Sequence, residues 1–126
     1  MGSLLYVALG GAVGSAARYL VGAWVASRLG PDFPWGTFVV NVSGSFLIGG
    51  VLVLVEGGAL PVGARYFLAI GTLGGYTTFS TFGYETLQLV IARSLGAALF
   101  NALGQLVICL IAVYLGVVLF RGIGWV

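Results

Sequence analysis

The chain of 126 residues is 60% hydrophobic and 6% charged, with five Arg, three acids, no Lys and no His, for a formal net charge of +2. That balance excludes a soluble domain with a solvated charged surface, and charges scattered along the sequence leave no basic patch for nucleic acid. It defines an integral membrane protein, in which the one cysteine, Cys109, has no second cysteine to pair with and reads as a small packing residue.

With roughly 20 apolar residues taken as one crossing, hydropathy predicts four spans, over residues 4–25, 37–55, 64–92 and 95–120. Short turns separate them, rich in Gly and Pro at 30–34 and 56–61 and reduced to Arg93-Ser94 before the last span. No room remains for a separate soluble domain, so residues 1–126 form one transmembrane unit.

The first span lacks a basic start and carries Arg18 inside, so it reads as a permanent helix rather than a secretion signal. Arg18 cannot shed its charge, and a cation at that depth must be paired or wet. It is either an attractor for anions at a vestibule or a structural partner for Glu85 or for open carbonyls of the third span. Gly10 with Gly14, and Gly71 with Gly75, have the four-residue spacing that lets helix backbones approach closely, between subunits or within one.

In the second span Thr37, Asn41 and Ser45 recur every four residues, as Asn101 and Gln105 do in the fourth, so each set marks one helix face. Polar side chains are costly in lipid and face a partner or a wet path. Two such stripes line one route or bond helices together.

The third span is the most informative, because Gly74-Gly75-Tyr76-Thr77-Thr78-Phe79-Ser80-Thr81-Phe82 interrupts an otherwise apolar segment. Glycine freedom and β-branched crowding make this run a poor helix, so a break is predicted there. In lipid such a break persists only where protein buries it or water passes it. Its open carbonyls make a site for a hard cation, and the amides and hydroxyls that follow make one for an anion. Phe79 and Phe82, three apart, project to one side of the second half, where electropositive ring edges tolerate a small anion or the rings simply face lipid. Glu85, a turn further on, is a proton carrier, a partner for Arg18, or an acceptor that orients Thr81.

Orientation is left open by charge. Four crossings put the N-terminus, Arg65 and Arg121 on one side and Arg28 and Arg93 on the other, so Arg stands two against two and the positive-inside rule is nearly silent. Either a small residual bias selects one orientation, or copies insert both ways up and pair antiparallel about an axis in the membrane plane.

Three blocks carry a resemblance over nearly the whole chain: Gly10-Gly11-Ala12-Val13-Gly14-Ser15-Ala16-Ala17-Arg18-Tyr19, Pro34-Trp35-Gly36-Thr37-Phe38-Val39-Val40-Asn41-Val42-Ser43-Gly44, and Gly74 through Glu85. They resemble the CrcB or Fluc family of fluoride channels. The resemblance implies an all-α membrane protein of four transmembrane helices with a break in the third, assembled as an antiparallel dual-topology homodimer with two fluoride pores. It further implies a central sodium ion on the backbone carbonyls of Gly74 and Thr77, pore phenylalanines Phe79 and Phe82, and polar contacts from Asn41, Ser80 and Thr81. Asn101 and Gln105 stand where the family often has Tyr or Asn and then Ser, and Gly83 replaces a frequent Ser. The implied function is passive fluoride export across the plasma (inner) membrane of a prokaryote.

Two other classes are compatible with the size. A small proton-coupled multidrug exporter needs an embedded acid in its first helix, where this chain has Arg18. A structural subunit of a membrane complex explains the glycines and leaves the Thr-Thr-Phe-Ser-Thr-Phe run without a purpose. An enzyme is disfavoured, since Ser80 has no evident base and Asp32 and Glu85 are distant in sequence.

Overall fold

The computed structural model describes residues 1–124, and every element in them is helical. Helix α1 (Gly2–Leu29) and α2 (Trp35–Glu56) are continuous. Segment α3 covers residues 62–76, with Arg65–Leu73 wound wider than an α-helix. Helix α4 (Phe79–Ile91) follows an extended step, and α5 covers residues 95–124 with a second wide stretch at Phe100–Gly104. Gly2–Leu29, Trp35–Glu56 and residues 95–122 are each long and apolar enough to cross a membrane. The first, second and fourth predicted spans fall on these three helices, while the segment predicted over 64–92 is interrupted at Thr77–Thr78 and is not among them.

The turns are closed by local chemistry. Gly30 ends α1 at φ 88°, a left-handed value that suits glycine, with its N–H on the Ala26 carbonyl at 3.0 Å. Phe33 folds back among Trp35, Phe38 and Phe100, with ring centroids 4.6, 5.9 and 5.4 Å away, and Phe38 stacks on Phe100 at 5.7 Å. This aromatic knot fixes where α2 starts against α5. Between α4 and α5, Arg93 takes φ 58° while Ser94 N–H reaches back to the Leu89 carbonyl at 2.9 Å.

Glycine faces knit the bundle. A Cβ on Gly14 would overlap the Thr72 carbonyl, one on Gly71 would lie 2.9 Å from Gly10 Cα, and one on Gly75 would meet the Gly11 carbonyl at 2.7 Å. The Gly10–Gly14 and Gly71–Gly75 pairs thus join α1 to α3 inside one subunit, backbone against backbone. A similar seam joins α2 to α5, where Gly116 packs on the Phe46 carbonyl and Gly49 on that of Val113. Helix α2 lies at the centre, with Val40 fully buried and Asn41 9% exposed.

Candidate functional site: a clamped helix break

The site is built around two residues that leave the helix. Thr77 and Thr78 are extended, at φ −82°, ψ 158° and φ −149°, ψ 123°. Two β-branched residues after a Gly-Gly pair favour that geometry. A methyl-free Gly44 on α2 makes it fit, because a Cβ there would overlap the Thr77 side chain.

Asn41 satisfies the exposed backbone. Its Nδ2 donates to the Thr78 carbonyl at 2.9 Å, and its Oδ1 accepts the Thr78 N–H at 2.8 Å. An amide is the one side chain that offers both a donor and an acceptor at this spacing without charge. The second half-helix is capped by Thr78 itself, whose Oγ1 accepts the Thr81 N–H at 3.3 Å. The amides that would close helical turns onto the Gly74 and Thr77 carbonyls are those of Thr78 and Thr81. Both are diverted, to Asn41 and to the Thr78 hydroxyl.

A hydrogen-bonded row leads away from the break. Asn41 Nδ2 also donates to Gln105 Oε1, Gln105 Nε2 donates to Asn101 Oδ1 at 3.0 Å, and Asn101 Nδ2 donates to Thr86 Oγ1 at 2.8 Å. Thr86 in turn donates to the Phe82 carbonyl at 2.8 Å. Asn101 and Gln105 are 0% and 3% exposed, so their satisfaction is obligatory.

Beside this row lies a cavity of about 270 Å³ that brings together Asn41, Phe79, Phe82 and Gln105 with Ser45, Thr77, Thr78 and Cys109. The Phe79 and Phe82 rings sit 5.5 Å apart at 49°, and Phe79 is 84% exposed in the single chain. Asn101 stands behind Gln105 and reaches the cavity through it. A second cavity, of about 350 Å³, shares Thr78 with the first and is lined by Arg18, Thr37 and Thr81 as well. It lies next to a larger one of about 820 Å³, which shares Arg18 and Thr37 and adds Asp32, Glu85, Gln88 and Ser94. The last cavity lies where the 30–34 loop and the turn after α4 meet, so those two turns share one end of the molecule.

Glu85 accepts the Thr37 hydroxyl at 2.9 Å on Oε1, while its buried Oε2 has no partner among the described residues. Arg18 thus shares a cavity with Glu85 without bonding to it, and the structural pair considered from the sequence is not formed. Ser80 is exposed and lies 3.5 Å from the Thr78 hydroxyl. Thr78, Thr86 and Cys109 were not singled out as site residues by sequence reasoning. For Thr86 the available signal was its place one turn after Phe82, and for Cys109 its place one turn after Gln105 on the stripe.

A small helical membrane protein with a polar, side-chain-clamped break beside a cavity has the build of a channel or transporter rather than of a scaffold. Comparison narrows the class. A profile described as "CrcB-like protein, Camphor Resistance (CrcB)" matches residues 5–117. The chain is 50% identical over 122 residues to the "Fluoride-specific ion channel FluC" of Anaeromyxobacter sp. strain K, covering 96% of this chain and 97% of that protein. To a protein of the same name from Thermus thermophilus it is 54% identical over 112 residues, 89% of this chain and 88% of the relative. To that of Agrobacterium fabrum it is 46% identical over 125 residues, with 96% and 98% covered. The chain belongs to the CrcB family, and it is a multi-pass membrane protein.

Proposed function

We propose that this chain forms a fluoride-selective passive channel in the cell's inner membrane, working as a head-to-tail homodimer of four-crossing subunits. The observation that carries the reading is the 270 Å³ cavity at the clamped break, where neutral donors and two phenylalanines converge with no charged side chain among its lining residues. The name carried by relatives at about half identity supports the choice of ion.

The chemistry fits a small, strongly hydrated anion. Hydration is lost only where the wall returns comparable hydrogen bonds, here from the Ser45 hydroxyl, the Gln105 N–H not given to Asn101 and the ring edges of Phe79 and Phe82. Among the described residues no Arg or Lys side chain lines this cavity, so no flexible cation folds onto the ion there. Arg18 sits instead in the outer cavities, where it attracts anions without trapping them at the constriction. Chloride, being larger, would be rejected at a constriction beside the rings.

Fluoride enters a cell from acidic surroundings as neutral HF and is trapped as the anion on dissociation. A passive pore lets the negative-inside potential expel it, at about 2.3 kcal/mol per charge for each 100 mV. The even division of Arg residues supports insertion both ways up, and the exposed Phe79 supports a second copy facing it. The Gly74 and Thr77 carbonyls, deprived of their helical donors, are hard neutral oxygens suited to sodium. Such an ion, when bound, would supply a fixed positive charge near the break.

Purified protein in liposomes, monitored with a fluoride electrode, tests the reading. Fluoride efflux should follow the membrane potential, persist without a proton gradient and exceed chloride efflux greatly. Vesicles that remain impermeable to fluoride would overturn it, and a strict need for a proton gradient would replace the channel by an exchanger.

A further inference from the structure

We propose that Thr86 is a positioning residue of this pore, closing a one-way row of hydrogen bonds that holds the phenylalanine-bearing half-helix in place. The inference rests on the fluoride-channel reading above and adds to it a residue outside the cavity wall.

Helix α4 needs such an anchor, because none of its residues is buried. Apolar packing within its own subunit therefore contributes little to fixing it, and the polar row, with the Thr37–Glu85 bond, ties it to α2 and α5. The row starts at Thr78, immediately before Phe79, where Asn41 holds the backbone by two bonds. It runs through Gln105 and Asn101, and ends at the Thr86 hydroxyl, which accepts from Asn101 Nδ2 and donates to the Phe82 carbonyl. Both ring-bearing residues are thus bracketed by one chain of donors.

Direction matters as much as connection. With Asn41 fixed by the backbone, Gln105 must turn Oε1 toward Asn41 and Nε2 toward Asn101, and Asn101 must turn Nδ2 toward Thr86. Only a residue that accepts from Asn101 and donates to a carbonyl can end this sequence. A hydroxyl does both. It leaves the second N–H of Gln105 unspent at the cavity wall, available to an anion. A side chain without the hydroxyl strands the Asn101 amide, which is 0% exposed, and frees Asn101 and Gln105 to turn.

The test compares Thr86→Val, Thr86→Ala and Thr86→Ser with the unaltered protein in liposomes, at equal amounts of assembled protein judged by gel filtration. Thr86→Val and Thr86→Ala should slow fluoride efflux by about ten-fold or more and lower the fluoride-to-chloride ratio, while Thr86→Ser should restore most of both. The double variant Thr86→Val with Asn101→Leu should be no slower than the worse single one, since both cut the same row. Efflux from Thr86→Val or Thr86→Ala close to that of the unaltered protein would overturn the proposal, as would a Ser variant as slow as Val. Should the unaltered protein itself pass no fluoride, the functional reading fails instead, and the two failures are distinct.

Discussion

Replacing Asn41 by Asp isolates the part played by a neutral donor at the break. The substitution is isosteric. It keeps an oxygen to accept the Thr78 N–H, now 2.8 Å away, and deletes the amine that donates to the Thr78 carbonyl and to Gln105 Oε1. Two bonds are lost, at about 0.6 kcal/mol each on average within membranes and at most about 1.7, and carboxylate oxygen is pressed against carbonyl oxygen. The charge is the larger effect. At about 4 Å, with an effective dielectric constant of about 20, it opposes an anion in the cavity by about 4 kcal/mol. That corresponds to about a thousand-fold fall in fluoride occupancy. Asn41→Ala, which removes the same donor without adding charge, separates the two effects. Efflux measured with a fluoride electrode should rank unaltered protein first, Asn41→Ala second and Asn41→Asp last at neutral pH. If Asn41→Asp conducts as fast as the unaltered protein, fluoride does not pass beside Asn41 and the site is misplaced.

Other outcomes follow from the same geometry. Phe79→Ile and Phe82→Ile should abolish fluoride efflux while the protein still elutes as the same assembly, since both rings line the cavity and neither is buried in its own subunit. Gly14→Leu forces side-chain atoms into the Thr72 carbonyl and should destabilise the α1–α3 seam by about 1–3 kcal/mol or more, read as a lower melting temperature in detergent. Arg93→Gly relieves a left-handed residue at φ 58° and should raise stability by up to about 1 kcal/mol, with efflux unchanged. Exchanging sodium for a large organic cation should reduce both melting temperature and efflux if the Gly74 and Thr77 carbonyls hold sodium.

Hydropathy and local propensity made the four apolar segments and the divided third one legible, because span length and glycine–threonine content are properties of the chain alone. The partners of the break were less so. That Asn41 is the residue clamping Thr78 depends on the register of α2 against α3, which Gly44 sets through close contact rather than through any periodic signal. The stripe of Thr37, Asn41 and Ser45 reads as one face, yet two cavities share it out: Ser45 and Asn41 line the one with the phenylalanines, and Thr37 lines the neighbouring one with Arg18. A pairing of Arg18 with Glu85 is one of the readings that two embedded charges allow. Thr37 occupies Glu85 instead. The wide winding at Arg65–Leu73 and Phe100–Gly104 left no sequence mark, since no side-chain type encodes an extra residue per turn.

The two halves of the divided segment are held unequally. The first is riveted along α1 by main-chain contact at Gly10, Gly14, Gly71 and Gly75, whereas the second rests on the bundle with no residue fully enclosed. Mechanically the pair is a hinge with one stiff arm and one lightly held arm, with Thr77 and Thr78 as the joint. The second arm is tied by hydrogen bonds such as Thr86–Asn101 and Glu85–Thr37 and by the turn into α5. Solvents that strip surrounding lipid will loosen the outer arm first, so transport should disappear at detergent concentrations that leave the melting of the clamped arm untouched.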